Sequence, residues 1–304
     1  MPTGAPIPKV DATRGYGATV RFHGYTVDEA LQAALAYQEE TGAVLIHPFD
    51  HPDVVAGQGT VGLEILEQCP DVATVLVCTG GGGLLAGVAT AVKALRPSAT
   101  VIGVQAAAAA AYPASLAAGH PVALTSMSTM ADGIAVGRPG QVPFAVVRRL
   151  VDRIVTIDED QLSRALLFLL ERAKLVVEPA GAAAVAAVLA APQDMEPPVV
   201  AVLSGGNIDP LLLMGVIRHG LQTGGRYLQF RVQVPDRPGS LVRLLAVLAE
   251  TDANVVEVAH VRAGTSLSVG EVDIAVQLET RGAEHGADVL ARLRSAGYDP
   301  LFPG

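Results

Sequence analysis

The sequence has few of the residues that stack on bases or form basic patches. It contains no tryptophan, and aromatic residues make up only 4%. The net charge is −9, and the lysines and arginines form no cluster. Proteins that bind nucleic acid usually carry a basic patch and stacking platforms. We therefore predict that nucleic acid is not a partner.

Long apolar runs are also missing. A membrane-spanning helix needs about 18 or more consecutive apolar residues. The longest candidate, residues 180–191, is mostly alanine and ends at Pro192. The first ten residues have no basic region followed by an apolar one, so they do not resemble a signal peptide. We predict no membrane partner and a cytoplasmic location.

Cysteine and histidine offer no evident metal site. Cys69 and Cys78 are the only cysteines, and Cys78 lies in an apolar segment. Reduced core thiols in a cytosolic protein are the ordinary interpretation of such residues. His47 and His51 have the i, i+4 spacing of a helical ligand pair, but a proline after each of them opposes a shared helical face. We predict no metal.

The sequence does contain enough apolar residues for a large core. Half of its 304 residues are hydrophobic and 17% are charged. Valine-rich segments alternate with helical ones: strands are predicted at 75–78, 100–104, 153–157 and 199–203, and helices at 84–95, at 143–151 and from Asp158 onward. This alternation predicts an α/β fold with a parallel sheet.

The first 68 residues predict two further strand–helix units. Strands are predicted at residues 17–22 and 44–50, and helices at 26–41 and 57–68. Thr26 is the expected N-cap of the first helix, with Asp28 and Glu29 in its first turn. Because the first strand has no partner before it, we expect that a further part of the domain precedes Met1.

A run of four glycines follows the strand at 75–78. Gly80, Gly81, Gly82 and Gly83 stand between this strand and an apolar helix. Glycines let the backbone approach an anion closely, and the amides and dipole of a helix N-terminus attract a phosphate. The spacing differs from G-x-G-x-x-G and from the P-loop. A phosphate site and a tight turn without a ligand both remain open on the loop alone.

Two further residues lie where a pocket is expected. Ser204 follows the strand at 199–203, and ligands of parallel sheets bind at the carboxyl ends of strands. Its hydroxyl suits a heteroaromatic ligand, although an ordinary strand-to-helix turn is the alternative. Glu178 stands between two predicted helices. It would serve equally as a pocket residue or as the surface partner of Lys174.

Several motifs occur together in one order. They are Gly-Gln-Gly-Thr at 57–60, Gly-Gly-Gly-Gly-Leu at 80–84, Ala-Asp-Gly-Ile-Ala-Val at 131–136, Lys-Leu-Val-Val-Glu-Pro-Ala-Gly at 174–181 and Ser-Gly-Gly-Asn at 204–207. In these motifs, residues 1 to about 225 resemble threonine dehydratase (threonine ammonia-lyase). That family uses pyridoxal 5'-phosphate and has the tryptophan-synthase-β fold, known as fold type II.

The resemblance implies roles for individual residues. Glu178 would lie near the face of the cofactor as a supporting catalytic residue, and the residues implied to bind the cofactor are Gly80, Gly81, Gly82, Gly83, Leu84, Gly133 and Ser204. A neutral hydroxyl at the ring nitrogen suits β-elimination. The implied reaction converts threonine, or serine as an alternative substrate, to the 2-oxo acid and ammonia. It serves isoleucine biosynthesis or threonine catabolism.

The sequence also departs from the family. The upstream Ser-x-Lys-x-Arg-Gly stretch, whose lysine holds the cofactor as a Schiff base, and the Ala-Gly-Asn-His stretch are both missing. The chain has only Lys9, Lys93 and Lys174, and none lies in such a motif. We therefore expect an incomplete fold at the N-terminus and no turnover by this chain alone. A catalytically inactive fragment that senses amino acids and oligomerises is the alternative function.

The tail predicts a separate domain. Strands at 227–234, 254–262 and 271–279 and helices at 241–249 and 284–296 give a βαββα order, which is ferredoxin-like. Its first turn resembles the ACT regulatory domain, in which that turn lines an amino-acid site between paired domains. The implied effector residues are Arg237, Pro238, Gly239, Ser240 and Leu241. Paired domains imply a homo-oligomer.

The expected division of the chain has three parts. Residues 1–46 are the remnant of a small cofactor subdomain, residues 47–225 form the large catalytic domain, and residues 226–304 form the ACT domain.

Overall fold

A computed structural model of the chain describes residues 1–5, 7–261 and 270–302. They fall into two units, Met1–Leu213 and Met214–Gly304, each with its own sheet and core. Within the described residues, no helix combines the length and the apolarity that a bilayer crossing requires.

Four parallel strands form the sheet of the first unit, as the alternation predicted. They are β1 (Thr74–Cys78), β2 (Thr100–Ala106), β3 (Arg153–Ile157) and β4 (Val199–Ala201), in the order β3-β2-β1-β4. The strand β1 is therefore central and buried throughout. Its carboxyl end leads directly into the glycine run.

Nine α-helices lie in the described residues up to Thr223, and the last of them crosses from the first unit into the second. They are α1 (Ile7–Gly15), α2 (Val27–Thr41), α3 (Pro52–Gln68), α4 (Gly83–Leu95), α5 (Ala111–Ala118), α6 (Gln141–Leu150), α7 (Glu159–Phe168), α8 (Pro179–Ala190) and α9 (Pro210–Thr223). Thr26 and Asp158 cap α2 and α7 with capping boxes, as their residue types predicted. A π-helical turn, Leu169–Ala173, ends α7, and Lys174 adopts a left-handed conformation.

The two faces of the sheet are covered by different helices. Val75 and Val77 of β1 join one apolar cluster with residues of α3, α4 and α6. The intervening Leu76 points to the other face, because side chains alternate along a strand. On that face α8 contacts the strands, and α7 packs beside it. The alanines of α8 between Ala180 and Ala187 are almost fully buried.

Two predicted strands are wrong. Residues 17–22 and 44–50 form no strand in the structure. Both are apolar enough for a sheet, yet Val44 and Ile46 are 89% and 82% exposed. A strand needs a neighbouring strand for its backbone groups, and within the described residues neither segment pairs into a sheet.

The helix expected at 57–68 begins five residues earlier. His51 accepts a hydrogen bond from the Asp53 amide as the N-cap, and Pro52 occupies the first turn. Proline is favoured there because its missing N–H would have had no partner. The proline therefore starts this helix.

The second unit has the predicted βαββα order. Its elements are β5 (Tyr227–Pro235), α10 (Ser240–Ala249), β6 (Asn254–Val261), β7 (Glu271–Glu279) and α11 (Ala283–Ser295). The strands are antiparallel in the order β5-β7-β6. Leu244 and Leu293 pack from the two helices onto Phe230 and Ile274 of the sheet. Arg262, the last residue of the second predicted strand, lies outside the described residues.

The helices α3 and α4 approach so closely that their glycines are needed. A Cβ added to Gly87 would lie 2.6 Å from the Gly59 nitrogen and closer still to the Val55 carbonyl oxygen. A Cβ added to Gly62 would lie 2.8 Å from the Cβ of Ala91. The contacts of Gly87 are with backbone, which cannot rotate away as a side chain can.

We therefore expect Gly87→Ala to destabilise the first unit by about 1–3 kcal/mol through overpacking. Gly57→Ala is the matched control, because Gly57 lies in α3 and an added Cβ there meets nothing within 4 Å. It should stabilise by about 0.5–1 kcal/mol through helix propensity. Urea unfolding of the intact chain, followed by circular dichroism, measures both changes. Equal stability of the two variants would contradict the close packing of α3 and α4.

Candidate functional site

One cavity of about 800 Å³ opens at the carboxyl ends of the parallel strands. It contains every residue that the sequence analysis assigned to the cofactor, together with Glu178. These are Gly80, Gly81, Gly82, Gly83, Leu84, Gly133 and Ser204. They come from three segments separated by about fifty to seventy residues each, and the sheet brings them to one place.

The glycine loop presents its amides rather than its carbonyls. The Gly81 carbonyl oxygen accepts from the Gly140 amide at 3.0 Å and from the Tyr112 hydroxyl at 3.3 Å. The Thr79 carbonyl oxygen accepts from Gln105 Nε2 at 3.2 Å. Within the described residues, the amide N–H groups of residues 80–85 have no hydrogen-bond partner. The loop therefore lines the cavity with unpaired donors at the N-terminus of α4.

Two positions of the loop require glycine. Gly82 has a φ of +100° and caps α4. A Cβ there would overlap the Tyr112 hydroxyl, and one on Gly81 would overlap the ring of Phe49. Burial raises the pKa of the Tyr112 phenol, so the group stays protonated as a donor. Side chains thus pack directly against the loop backbone and hold its shape.

A turn at residues 47–50 supports the loop from outside. His47 Nδ1 accepts hydrogen bonds from the amides of Phe49 at 3.2 Å and Asp50 at 2.7 Å. The Asp50 carboxylate accepts from the amides of Gln141 and Val142 at the start of α6. The turn therefore fixes Phe49 against the glycines and connects the loop to α6.

Ser204 meets Cys78 at the wall of the cavity. The Ser204 Oγ lies 3.0 Å from the Cys78 Sγ. Cys78 is the last residue of β1, and Ser204 follows β4 by three residues. Both side chains line the cavity.

Glu178 lies at the cavity wall, which is one of the two places that its sequence position allowed. Its Oε1 would be 3.2 Å from a Cβ on Gly133, and a Cβ on Gly205 would overlap the carboxylate. Its amide donates to the Gly205 carbonyl oxygen at 3.0 Å. In the described part of the chain no ion pair joins Glu178 to Lys174, whose Nζ donates to the Glu171 carbonyl oxygen.

Of the three lysines, Lys9 alone lines this cavity. Its Nζ forms an ion pair with Asp132 Oδ2 at 2.8 Å. Lys93 pairs with Asp152 at 2.8 Å and donates to the Ala99 carbonyl oxygen. Asp132 belongs to the same short turn as Gly133, Asp132–Ile134. The ion pair therefore joins α1 to that turn.

A second, smaller cavity of about 340 Å³ lies in the unit Met214–Gly304. It contains all five residues that the sequence analysis assigned to the effector: Arg237, Pro238, Gly239, Ser240 and Leu241. The rest of its wall consists of Val234, Pro235 and Asp236 before the turn, His260 of β6, and the apolar Val272 and Ile274 of β7. Gly239, with a φ of +89°, caps α10 at this cavity.

Sequence reasoning missed Phe49, Tyr112, Lys9 and the contact of Cys78 with Ser204. The first three are distant in sequence from the residues they support, and no motif connected them. The pair His47 and His51 drew attention only as possible metal ligands. In the described residues no group of three His, Cys, Asp or Glu side chains could hold a metal ion.

The fold and the site define an α/β protein whose cavity has amide donors on one segment and a hydroxyl on another. Comparison with known proteins identifies the family. Residues 1–205 match the pyridoxal-phosphate dependent enzymes, and residues 229–296 match the ACT domain. The chain belongs to the family of pyridoxal-phosphate dependent enzymes, with an ACT domain at its end.

Two similar proteins are L-threonine ammonia-lyases. That of Geobacter sulfurreducens is 47% identical over 98% of this chain and 74% of its own length. That of Thermotoga maritima is 44% identical over 100% of this chain and 76% of its own length. A crystal structure of threonine deaminase from T.th. is 46% identical with a TM-score of 0.63, over 66% of this chain and 67% of that one. These matches confirm the predicted family and fold class.

The residues present fit pyridoxal 5'-phosphate. The unpaired amides of the glycine loop match a phosphate, because several N–H donors and a helix N-terminus favour an anion. The Ser204 hydroxyl suits a pyridine nitrogen, which needs a single hydrogen-bond partner. The chemistry of the donors therefore agrees with the cofactor of the family.

The turn at His47 makes the stability of the folded chain depend on pH. Burial lowers the pKa of His47 below its ordinary value of 6.5, and the neutral ring accepts two amide bonds. As the pH falls below 6.5, the unfolded chain takes up this proton before the folded one does. The contribution of the neutral His47 ring to the free energy of unfolding is therefore complete above pH 6.5 and is lost progressively below it.

We expect His47→Asn to reduce this loss, because an asparagine oxygen can accept the same amide bonds without titrating. The measurement is the melting temperature of both proteins at pH 8 and pH 5.5, by differential scanning calorimetry. Other groups titrate equally in both proteins, so the difference of the two shifts reports His47. An identical pH dependence in both would contradict the role of the neutral ring.

Proposed function

We propose that the chain has the cofactor site and the regulatory domain of an L-threonine ammonia-lyase, which converts threonine to 2-oxobutanoate and ammonia. One observation carries this proposal: a single cavity brings together all seven predicted cofactor residues and Glu178. The names of the two lyases that match nearly the whole chain support the substrate. Serine is the alternative substrate.

Each group of residues in the cavity would have its own role toward the cofactor. Pyridoxal 5'-phosphate supplies an electron sink for loss of the α-proton and the β-hydroxyl. The amides of residues 80–84 would bind its phosphate, and Ser204 would bind the ring nitrogen as a neutral partner. Gly133 would let the backbone approach the ring, and the site has little room for a larger residue, because a Cβ there would lie 2.9 Å from the Ala180 Cβ. Glu178 would hold or move a proton at the wall of the cavity.

We further propose the three-part division of the chain at 46 and 225, and a cytoplasmic location. The ACT match at 229–296 supports the second boundary. The lysine that tethers the cofactor is assigned to the Ser-x-Lys-x-Arg-Gly stretch, which these 304 residues do not contain. Lys9 is in the cavity, but its ammonium is engaged by Asp132.

Ser204→Ala tests the cofactor site. Loss of the hydroxyl would leave the ring nitrogen unpaired, so we expect cofactor binding to weaken by about 1–3 kcal/mol, with 1.4 kcal/mol corresponding to tenfold. The measurement is an absorbance titration of the intact chain with pyridoxal 5'-phosphate. Ser163→Ala is the control, because Ser163 is buried in α7 and bonds to the Glu159 carbonyl oxygen. Its affinity should equal that of the unmodified chain.

Borohydride reduction of the same mixture, followed by peptide mapping, tests the assignment of the lysine. We expect no stoichiometric adduct on a single lysine and no 2-oxobutanoate from threonine. Fusion of a segment that carries Ser-x-Lys-x-Arg-Gly before Met1 should restore both. Turnover by the unfused chain would overturn the assignment, and equal affinity of Ser204→Ala would place Ser204 outside the site.

We also propose that the cavity beside α10 binds a branched-chain or similar amino acid and that the ACT domain promotes dimerisation. Arg237 and the N-terminus of α10 suit a carboxylate, while Val272 and Ile274 suit an apolar side chain. Both features lie in the same cavity of about 340 Å³.

Titration calorimetry of the intact chain with isoleucine, valine, leucine, threonine and serine tests the effector. We expect binding of at least one apolar member, weakened about tenfold or more by Arg237→Ala because a charged hydrogen bond is lost. Arg281→Ala is the control, since Arg281 pairs with Asp252 away from the cavity. No heat with any of the five would remove the sensing role.

A further inference from the structure

The contact between Cys78 and Ser204 joins two residues that are 126 positions apart. Cys78 is held at the end of the central strand, where it pairs in register with Val104 of β2. Its side chain is buried but borders the cavity. The thiol is therefore a rigid group directly behind the hydroxyl that we assign to the ring nitrogen.

Ser204 itself lies on a less constrained segment. The strand β4 ends at Ala201, and the amide of Val202 makes the last bond to β1, at the Leu76 carbonyl oxygen. The next anchored group is the Gly205 carbonyl oxygen, which accepts from Glu178. Ser204 lies between these two anchored groups. Within the described residues, the contact with Cys78 is the one hydrogen bond that Ser204 makes.

The protonation of the thiol fixes what it can do in this contact. Burial raises the pKa of Cys78, and the nearby charge of Glu178 raises it further, although the Ser204 hydroxyl acts in the opposite direction. The thiol is therefore neutral at physiological pH and carries a proton that it can donate. When it donates to Oγ, the single proton of the Ser204 hydroxyl is free for another acceptor.

We propose that Cys78 is a positioning residue: its thiol donates to Ser204 Oγ and turns the Ser204 hydroxyl proton toward the cavity. The group that fits there is a heteroaromatic nitrogen without a proton of its own. This inference rests on the proposed function and assigns the state of the ring nitrogen. Hydrogen bonds in a chain polarise one another, so the thiol also strengthens the bond from Ser204 to the ring.

The two residues should act as one unit in cofactor binding. A double-mutant cycle measures this, with Cys78→Ala, Ser204→Ala and the double variant titrated with pyridoxal 5'-phosphate by absorbance. We expect Cys78→Ala to weaken binding about two- to tenfold, the range of one neutral hydrogen bond. In the Ser204→Ala background the same change should have no further effect, because the residue through which Cys78 acts is gone.

Two controls separate positioning from packing. Cys78→Ser keeps a donor at the same place and should restore most of the affinity lost in Cys78→Ala. Cys69→Ser removes the other cysteine, which lies at the end of α3 beside Asp71, and should leave affinity unchanged. A packing defect would instead weaken binding equally with and without Ser204.

The hydrogen bond itself has a readout that needs no cofactor. In the Cys69→Ser background, the pH dependence of iodoacetamide modification reports Cys78 alone. Once the thiol has lost its proton, the Ser204 hydroxyl can turn and donate to the sulfur, and this charge-assisted bond lowers the pKa of the thiol, so Ser204→Ala should shift the midpoint to higher pH. Pyridoxal 5'-phosphate should slow the modification, and inorganic phosphate at the same concentration should not.

The outcomes separate this inference from the proposed function. Failure of the unmodified chain to bind pyridoxal 5'-phosphate would overturn both. Binding by the unmodified chain with additive losses in the cycle, or an unchanged midpoint in Ser204→Ala, would overturn the role of Cys78 and leave the proposed function intact.

Discussion

The direction of the N–H groups in the glycine loop depends on the hydrogen bonds that its carbonyl oxygens accept. Gly81 and Thr79 direct their carbonyls into the protein, toward the Gly140 amide and the side chains of Tyr112 and Gln105. Because a peptide unit is planar, its N–H then points the opposite way, toward the cavity. Four small residues alone would not ensure this orientation. The anion-binding property therefore belongs to the buried polar groups behind the loop as much as to the glycines.

The sequence allowed the site to be predicted wherever its chemistry is local. A glycine run between a buried strand and a helix, or a serine at a strand end, is visible within a dozen residues. The support of the site is not local. Phe49 fills the space above Gly81, and Tyr112 does so above Gly82. Such contacts depend on how distant segments meet, which no single-sequence pattern records. Cys78 was judged an ordinary core thiol for the same reason.

The fold was predictable to a similar extent. The four parallel strands and the βαββα tail were identified because a valine-rich run follows from burial on both faces, as in β1, and alternation follows from burial on one face, as in β5. The predictions of strands at 17–22 and 44–50 were wrong, because an apolar segment forms a strand only where a neighbouring strand pairs with it. Ile46 is apolar and still 82% exposed. Composition cannot supply the partner that a sheet needs.

The glycine loop and Ser204 lie at two ends of the cavity, on elements of unequal rigidity. The strand β1 contacts both. It leads into the glycine loop, and its last side chain contacts Ser204 beyond β4. The strand β4 has three residues and lies at the edge of the sheet, so its own backbone bonds fix Ser204 weakly. A phosphate and a ring nitrogen belong to one rigid cofactor, so their partners must keep a fixed separation. A central strand that contacts both partners provides that constraint.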